Sequence, residues 1–348
     1  MKHRYAILMN PGHNRVYFEQ AGGMAAAEFE IAASRMRGTF EAIKIESIAG
    51  VPYLVFDNDG ELSDADAARI SRLSFAYTVF ERVQADGRHL LSPIACESGH
   101  VFDTDIASML KYSGKTNEVF TRMMLNVALM TSDYSRAENI HILDPVAGKG
   151  TTLFEGAMNG FNATGIEITE RPVHEAQVFF KKFLEKAKYK HSYHKDKIGG
   201  GKQVAAMPRH AFEYAQTKDD MKTGGRTLTM IVGDSSHIGA CFKKNTFHLI
   251  VGDLPYGVSH GNVAGAKTGG KTRSPSALLD ACLPGWLNAL MPGGAMVLAW
   301  NTFVMPRAAM IEAIERGGFL VMTDAAYTRF EHRVDQAIKR DIIVARKV

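Results

Sequence analysis

The chain has 348 residues, of which 46% are hydrophobic, 22% charged and 9% aromatic. That composition fills a core and excludes disorder, collagen-like repeats and a small disulfide scaffold. Lys and Arg number 41 against 37 Asp and Glu, a net charge of +4, which suits a polyanionic partner only where the surplus is gathered in one place. The length favours two domains, one of them the size of a full α/β enzyme domain. The chain lacks any run of about 18 apolar residues, and Met1-Lys2-His3-Arg4-Tyr5 leads into a strand-like run and not a signal-peptide core, so a cytoplasmic setting is expected. Cys96, Cys241 and Cys282 are far apart, without C-x-x-C spacing, and read as buried hydrophobes and not as disulfide or zinc ligands.

In chain order, Arg4 to Met9 reads as a strand, Ala25 to Arg37 as an Ala-rich helix, and Ile43 to Ile48 and Val51 to Phe56 as strands joined through Ala49-Gly50. Asp64 to Leu73 has a helical pattern behind the N-cap candidate Ser63, and Phe75 to Val83 alternates as a strand. The order β-α-β-β-α-β is the ferredoxin-like split and carries no chemistry by itself. Between Gly87 and Tyr112 the pattern weakens, and a linker is expected there. A helix over Glu118 to Met130 follows, and then strands and helices alternate. His141 to Leu143, Ala163 to Glu167, Thr227 to Val232, Phe247 to Val251 and Ala295 to Trp300 are apolar strands, and two more lie near Phe319 to Tyr327 and Asp341 to Arg346. Five of these fit a parallel doubly wound sheet and the last two a terminal hairpin.

Two stretches interrupt the rhythm and read as loops. Lys186 to Gly225 carries Lys188, Lys190, His191, His194, Lys195, Lys197, Lys202, Arg209 and His210 around Gly199-Gly200-Gly201. Its length and polarity exceed a normal connection, and its histidines lack the acid or Cys spacing of a metal site, so no metal is expected. Val258 to Pro275 is glycine-rich, and within it Gly265 to Thr272 satisfies G-x-x-x-x-G-K-[ST]. A phosphate loop must leave a strand and enter a helix, and here Ser259-His260-Gly261-Asn262 precedes it and Pro275 follows at once. The segment reads either as a lid that brings Lys and Arg onto phosphates or as a solvated loop.

The chemistry gathers at strand ends. Ile142-Leu143-Asp144-Pro145-Val146-Ala147-Gly148-Lys149-Gly150-Thr151-Thr152 is an apolar strand, a glycine turn and a helix start, the pattern of a nucleotide-type cofactor loop. Leu153 stands where the dinucleotide fingerprint needs its third glycine, which weakens a nicotinamide reading. Glu167, ahead of Ile168, ends the next strand where a carboxylate accepts the hydroxyls of a ribose. Asp234, ahead of Ser235, either accepts from an adenine amine or caps a helix. Asp253-Leu254-Pro255-Tyr256 ends the fourth strand with an acid, a rigid turn and an aromatic. Methylating an exocyclic amine needs acceptors for its N–H groups and a π surface for the base, which Asp253, the Leu254 carbonyl and the Tyr256 ring supply.

On these motifs the sequence resembles the class I S-adenosylmethionine-dependent methyltransferases, within them the amino-methylating branch with an (N/D)-P-P-Y motif. More narrowly it is similar to the tRNA guanosine-N2 methyltransferases, which carry an N-terminal ferredoxin-like region. The resemblance implies a small α+β ferredoxin-like domain over residues 1–95 and a linker and cofactor-covering segment over 96–117. A seven-stranded Rossmann-like methyltransferase domain, its parallel sheet ending in an antiparallel hairpin, would span 118–348. It implies S-adenosylmethionine as cofactor, held by Asp144, Pro145, Ala147, Gly148, Gly150 and Thr151, by Glu167 and Ile168, by Asp234 and Ser235, and by Asp253. Lys115, Thr116 and Asn117 would lie across its methionine end, and Asp253, Leu254, Pro255 and Tyr256 would form the catalytic motif, Leu254 standing in place of the motif's first proline. The implied partner is RNA, tRNA in particular, and the implied reaction methylation of guanine N2. DNA adenine-N6 methylation and a non-catalytic RNA-binding role on the same fold are the alternatives. The charges in Phe330-Glu331-His332-Arg333-Val334-Asp335 either contact substrate backbone or cap a hairpin.

Overall fold

The computed structural model describes residues 2–10, 15–85, 87–96, 100–103, 106, 116–200, 205–255 and 275–348, with main chain alone at 15–21 and 89. Two compact units result: Met1–Gly99 with Thr323–Lys339, and His100–Met322 with Arg340–Val348.

The first unit begins β1 (Lys2–Met9), α1 (Arg15–Ala33), β2 (Phe40–Ile48), β3 (Val51–Asp59), α2 (Asp64–Ser71), β4 (Ala76–Ala85) and β5 (Arg88–Pro93). Its strands pair antiparallel in the order β2-β3-β1-β4-β5, the ferredoxin-like arrangement with one strand added. The addition corrects the linker expected from Gly87. Gly87, at φ +71°, supplies the left-handed turn that folds β5 back onto β4. Ser63 caps α2 as expected, its side chain accepting from the Asp66 amide at 3.2 Å. The rings of Tyr5, Phe56 and Phe29 form the centre, with centroids 5.2 and 4.7 Å apart in turn.

The second unit holds α3 (Glu118–Thr131), β6 (His141–Asp144), α4 (Thr151–Met158), β7 (Asn162–Glu167), α5 (Glu170–Lys186), β8 (Lys190–Ile198) and β9 (Met207–Ala215). It continues through α6 (Lys218–Gly224), β10 (Arg226–Val232), α7 (Ile238–Cys241), β11 (Phe247–Asp253), α8 (Ser276–Ala289), β12 (Leu290–Asn301), α9 (Arg307–Arg316) and β13 (Leu320–Val321). After β14 (His332–Arg333), β15 (Lys339–Arg346) returns to this sheet.

The strand order is β13-β15-β12-β11-β6-β7-β10-β9-β8. Neighbours from β12 through β10 are parallel, and β15 runs antiparallel between β12 and β13. Without β8 and β9 this is the doubly wound sheet with a terminal antiparallel strand that defines the class I methyltransferase fold. The order reverses direction between β6 and β11, and such a switch point opens a crevice at the carboxyl ends of the strands. Leu143, Ile166, Ile231, Ile250 and Leu298 bury the sheet against Leu279, Trp286 and Ile314 of the flanking helices.

The stretch from Lys186 to Gly225 is not the loop its polarity suggested. It forms a β8–β9 hairpin that pairs antiparallel onto β10, followed by α6. Phe212 and Tyr214 of β9 pack edge-on against Phe180 of α5, at 5.1 and 5.2 Å between centroids, which supplies the buried face. Of the cysteines only Cys282 is fully buried, Cys96 and Cys241 being half-buried.

The Thr323–Lys339 segment belongs to the first unit. A 3-10 turn at Ala325–Thr328 packs on α1, and Arg329 pairs with Glu30. Asp335 accepts from the amides of Ala337 and Ile338 at 2.7 and 2.8 Å, so the charged run from Phe330 ends in a capped turn.

Candidate active site

Four carboxylates end four adjacent strands of the second unit: Asp253 on β11, Asp144 on β6, Glu167 on β7, and Asp234 just past β10. At about 4.8 Å between neighbouring strands they line one edge over roughly 15 Å.

Asp144 is 3% exposed, and its Oδ1 accepts from the Val146 amide at 3.0 Å. Burial pushes its carboxyl up to about 7; the Thr152 side chain and the Val146 amide oppose this, and the charges of Asp253 and Glu167 add to it. Its local work is to fold the turn from Pro145 to Gly150. The Ala147 amide donates to Ile166 at 2.9 Å and the Gly150 amide to Ala147 at 2.7 Å. Gly148 and Gly150 hold φ of +51° and +85°, in the region that favours glycine, and Gly150 opens α4 at Thr151. A Cβ on Gly165 of β7 would come within 2.7 Å of Ala147 Cβ and Leu153 Cδ1, so the turn lies directly on the strand. A Cβ on Gly148 would meet nothing within 4 Å, which marks the open side.

Glu167 ties this turn to β7. Its Oε2 accepts from the Gly148 amide at 3.2 Å and its Oε1 from the Thr169 amide and hydroxyl at 3.0 and 2.6 Å, with Ile168 half-buried between them. The Gly233 amide donates to the Glu167 carbonyl at 2.9 Å and brings in the end of β10. Asp234 caps the 3-10 turn Ser235–His237, accepting from Ser236 at 2.9 Å. Ser235 turns its hydroxyl inward to accept from Trp286 Nε1 at 3.1 Å.

Across the switch point, the Leu254 amide donates to the Ala299 carbonyl of β12 at 2.9 Å, and the Leu254 side chain is buried. Thr116 Oγ1 donates to Asp253 Oδ2 at 2.6 Å. Asn117 caps α3 by accepting from Val119 and Phe120 at 2.8 and 3.2 Å. The same Asp253 oxygen lies 3.4 Å from the guanidinium of Arg340, a buried residue near the start of β15 whose Cζ stands 5.0 Å over the Phe120 ring. Sequence reasoning missed Arg340. A signal was present, since Lys339-Arg340-Asp341 opens a strand of buried residues, where a charge needs a counter-charge. Asp341 answers Arg307 in the same way at 2.5 Å. Lys115, Tyr256 and the stretch 257–274, including the Gly265–Thr272 pattern, lie outside the described residues.

A sequence profile of the RMKL-like methyltransferase domain matches residues 113–291, from just ahead of α3 to the first residues of β12. The chain belongs to this methyltransferase family. Among curated proteins, none matches it by sequence. Among solved structures it is similar to TrmN from Thermus thermophilus, at 12% identity and TM-score 0.45 over 100% of both chains. It is similar also to a TehB-like SAM-dependent methyltransferase from Corynebacterium glutamicum (16% identity, 62% of this chain, 84% of that one, TM-score 0.34). A SAM-dependent methyltransferase from Methanosarcina mazei matches at 15% identity over 61% of this chain and 93% of that one, TM-score 0.37.

The cofactor of this methyltransferase is S-adenosylmethionine. The residues present fit it: a glycine turn open at Gly148, with a strand-end carboxylate on either side. Among the described residues no helix is long and apolar enough to cross a membrane.

Proposed function

We propose that this methyltransferase acts in the cytoplasm on an exocyclic amine of a nucleobase in RNA, guanine N2 in tRNA being the preferred target. One observation carries the reading: Asp253 is fixed by Thr116 and Arg340 at the end of β11, one strand from the glycine turn. A carboxylate held there, next to a proline turn, is an acceptor for a planar amine and not a general surface charge.

Bound S-adenosylmethionine supplies an electrophilic methyl group. The turn from Asp144 through Pro145, Ala147, Gly148 and Gly150 to Thr151 would hold its methionine part, with Lys115, Thr116 and Asn117 across that end. Glu167 and Ile168 would hold the ribose, and Asp234 with the main chain of Ser235 the adenine. Asp253 and the Leu254 carbonyl accept the two N–H groups of the amine, which steers the nitrogen lone pair out of conjugation and towards the methyl. Pro255 stiffens that turn, and Tyr256 offers its ring to the base. Asp253 then takes the proton that the methylated nitrogen sheds. Arg340 is a positioning residue: its guanidinium, 3.4 Å from Asp253 Oδ2, keeps that carboxylate aimed.

Nucleoside mass spectrometry of RNA from cells with and without the gene tests this. Loss of one N2-methylated guanosine is the expected result. Label from the methyl donor entering only DNA, in mixed tRNA and DNA pools, would overturn the RNA assignment. Asp253→Ala should abolish turnover and keep cofactor affinity.

A further inference from the structure

The β8–β9 hairpin is an addition to the seven strands that build the cofactor edge, and it holds a charge unlike the rest of the chain. Residues 186–209 contain seven Lys and Arg (Lys186, Lys188, Lys190, Lys195, Lys197, Lys202, Arg209) and one acid, Asp196. The whole chain has 41 against 37, so everything outside this segment has 34 against 36. The hairpin itself, residues 190–215, holds five Lys and Arg (Lys190, Lys195, Lys197, Lys202, Arg209) against Asp196 and Glu213, a surplus of three of the chain's four positive charges, and Lys186 and Lys188 lead directly into it. Asp196 is neutralised by Arg209, whose Nε donates to it at 2.7 Å. Lys186, Lys188, Lys190, Lys195 and Lys197 are exposed, and among the described residues none of them is paired with an acid.

The hairpin is anchored from behind. Tyr193 packs on Phe212 at 4.8 Å between centroids, its hydroxyl lies 2.7 Å from His210 Nδ1, and Phe212 is seated on Phe180 of α5. The lysines are thus held on a platform and do not belong to a loose tail. β8 is the last strand of the sheet, and lysine on an edge strand guards against pairing with another chain. That role needs one or two charges within the strand and does not account for Lys186 and Lys188, which precede it.

From these observations we infer that the β8–β9 hairpin is the docking surface for the phosphate backbone of the RNA substrate. The inference rests on the RNA reading above. β8 runs parallel to β10, because each is antiparallel to β9. Lys195 and Lys197 therefore stand at the same sheet edge as Asp253, with β9, β10, β7 and β6 between them and β11. Five strand spacings put them about 24 Å from the amine acceptor, the length of about seven stacked nucleotides. The hairpin thus selects substrates by extent: an RNA must reach from the acceptor to the lysines to gain from both.

The test uses the full chain with Lys190→Gln, Lys195→Gln and Lys197→Gln combined, beside the matching Lys→Arg triple. Binding of an unmodified tRNA transcript is measured against salt, and cofactor affinity by calorimetry confirms that each protein is folded. The Gln triple should bind the transcript about tenfold more weakly at physiological salt with a shallower salt slope, roughly one unit per lost phosphate contact, while the Arg triple retains both. Turnover on a four-nucleotide RNA, too short to reach the hairpin, should be the same in all three. Wild-type affinity and slope in the Gln triple would overturn the docking surface, and so would self-association of the Gln triple with unchanged RNA binding. So would affinity lost for anionic vesicles but kept for RNA. Wild-type protein that binds cofactor but no RNA would overturn the RNA reading itself, and the docking surface with it.

Discussion

Asp253 and Arg340 meet across two strands that are far apart in sequence, and the pair shows how a buried cation can set a reacting group. Arg340→Met keeps the Thr116 hydroxyl on Asp253 and removes the guanidinium that lies 3.4 Å from it. Turnover should fall about a hundredfold, the cost of losing aim by a fraction of a bond length, with cofactor affinity unchanged. Arg340→Lys should restore part of the rate. A lost rate that Arg340→Lys does not restore at all would make Arg340 a packing residue only.

Two neighbours on β6 make opposite pH predictions. Burial, with His248 nearby, holds His141 down to about 4 from its ordinary 6.5, and burial lifts Asp144 from 3.8 to about 7. Between pH 4 and 6.5 the unfolded chain binds a proton on His141 that the folded chain refuses, so this group adds stability as pH rises. Over pH 4 to 7 the folded chain keeps a proton on Asp144 that the unfolded chain has released, so this one removes stability as pH rises. Asp144→Asn should therefore show urea midpoints that climb between pH 4 and 6.5, and His141→Gln midpoints that decline between pH 4 and 7. Slopes of the same sign in both variants would refute the assignment.

Among the elements, the glycine turn depends on close approach more than on any side chain. Gly165→Ala would drive a methyl to 2.7 Å from Ala147 Cβ, and since Ala147 has no flexible end to swing away, the turn itself must lift. Cofactor affinity should drop about tenfold or more, while the melting temperature falls by only a few degrees. Calorimetry and thermal unfolding on the same sample separate the two. This geometry also shows what the sequence could and could not tell. β6, β7, β10 and β11 were legible because buried parallel strands are short apolar runs, here ending at Asp144, Glu167, the Gly233 that follows Val232, and Asp253. β8 was not, because a sheet-edge strand with Lys190, His194, Lys195 and Lys197 buries too little to alternate, and β5 was hidden by the mixed composition around it. At the site, the turn and the strand-end acids followed from local spacing. Arg340 did not, since nothing within β15 says which distant carboxylate it will meet.

For the molecule as a whole, the division into units follows neither end of the chain. The chain passes from one unit to the other three times, after Gly99, after Met322 and after Lys339. Tyr327, Phe330 and His332 are buried within the inserted segment, which is grouped with the first unit. A chain beginning at residue 100 should expose them and aggregate, whereas the same chain with 323–339 replaced by a flexible Gly-Ser link should remain monomeric, as light scattering can establish. Equal behaviour of the two would show that the segment needs no such company. The threading also constrains how descendants of this gene could diversify. A single crossover near codon 100 would deliver a new head yet strand the piece that fitted the old one, so exchange of heads between lineages demands three coordinated breakpoints, and the two parts are expected to have been inherited together.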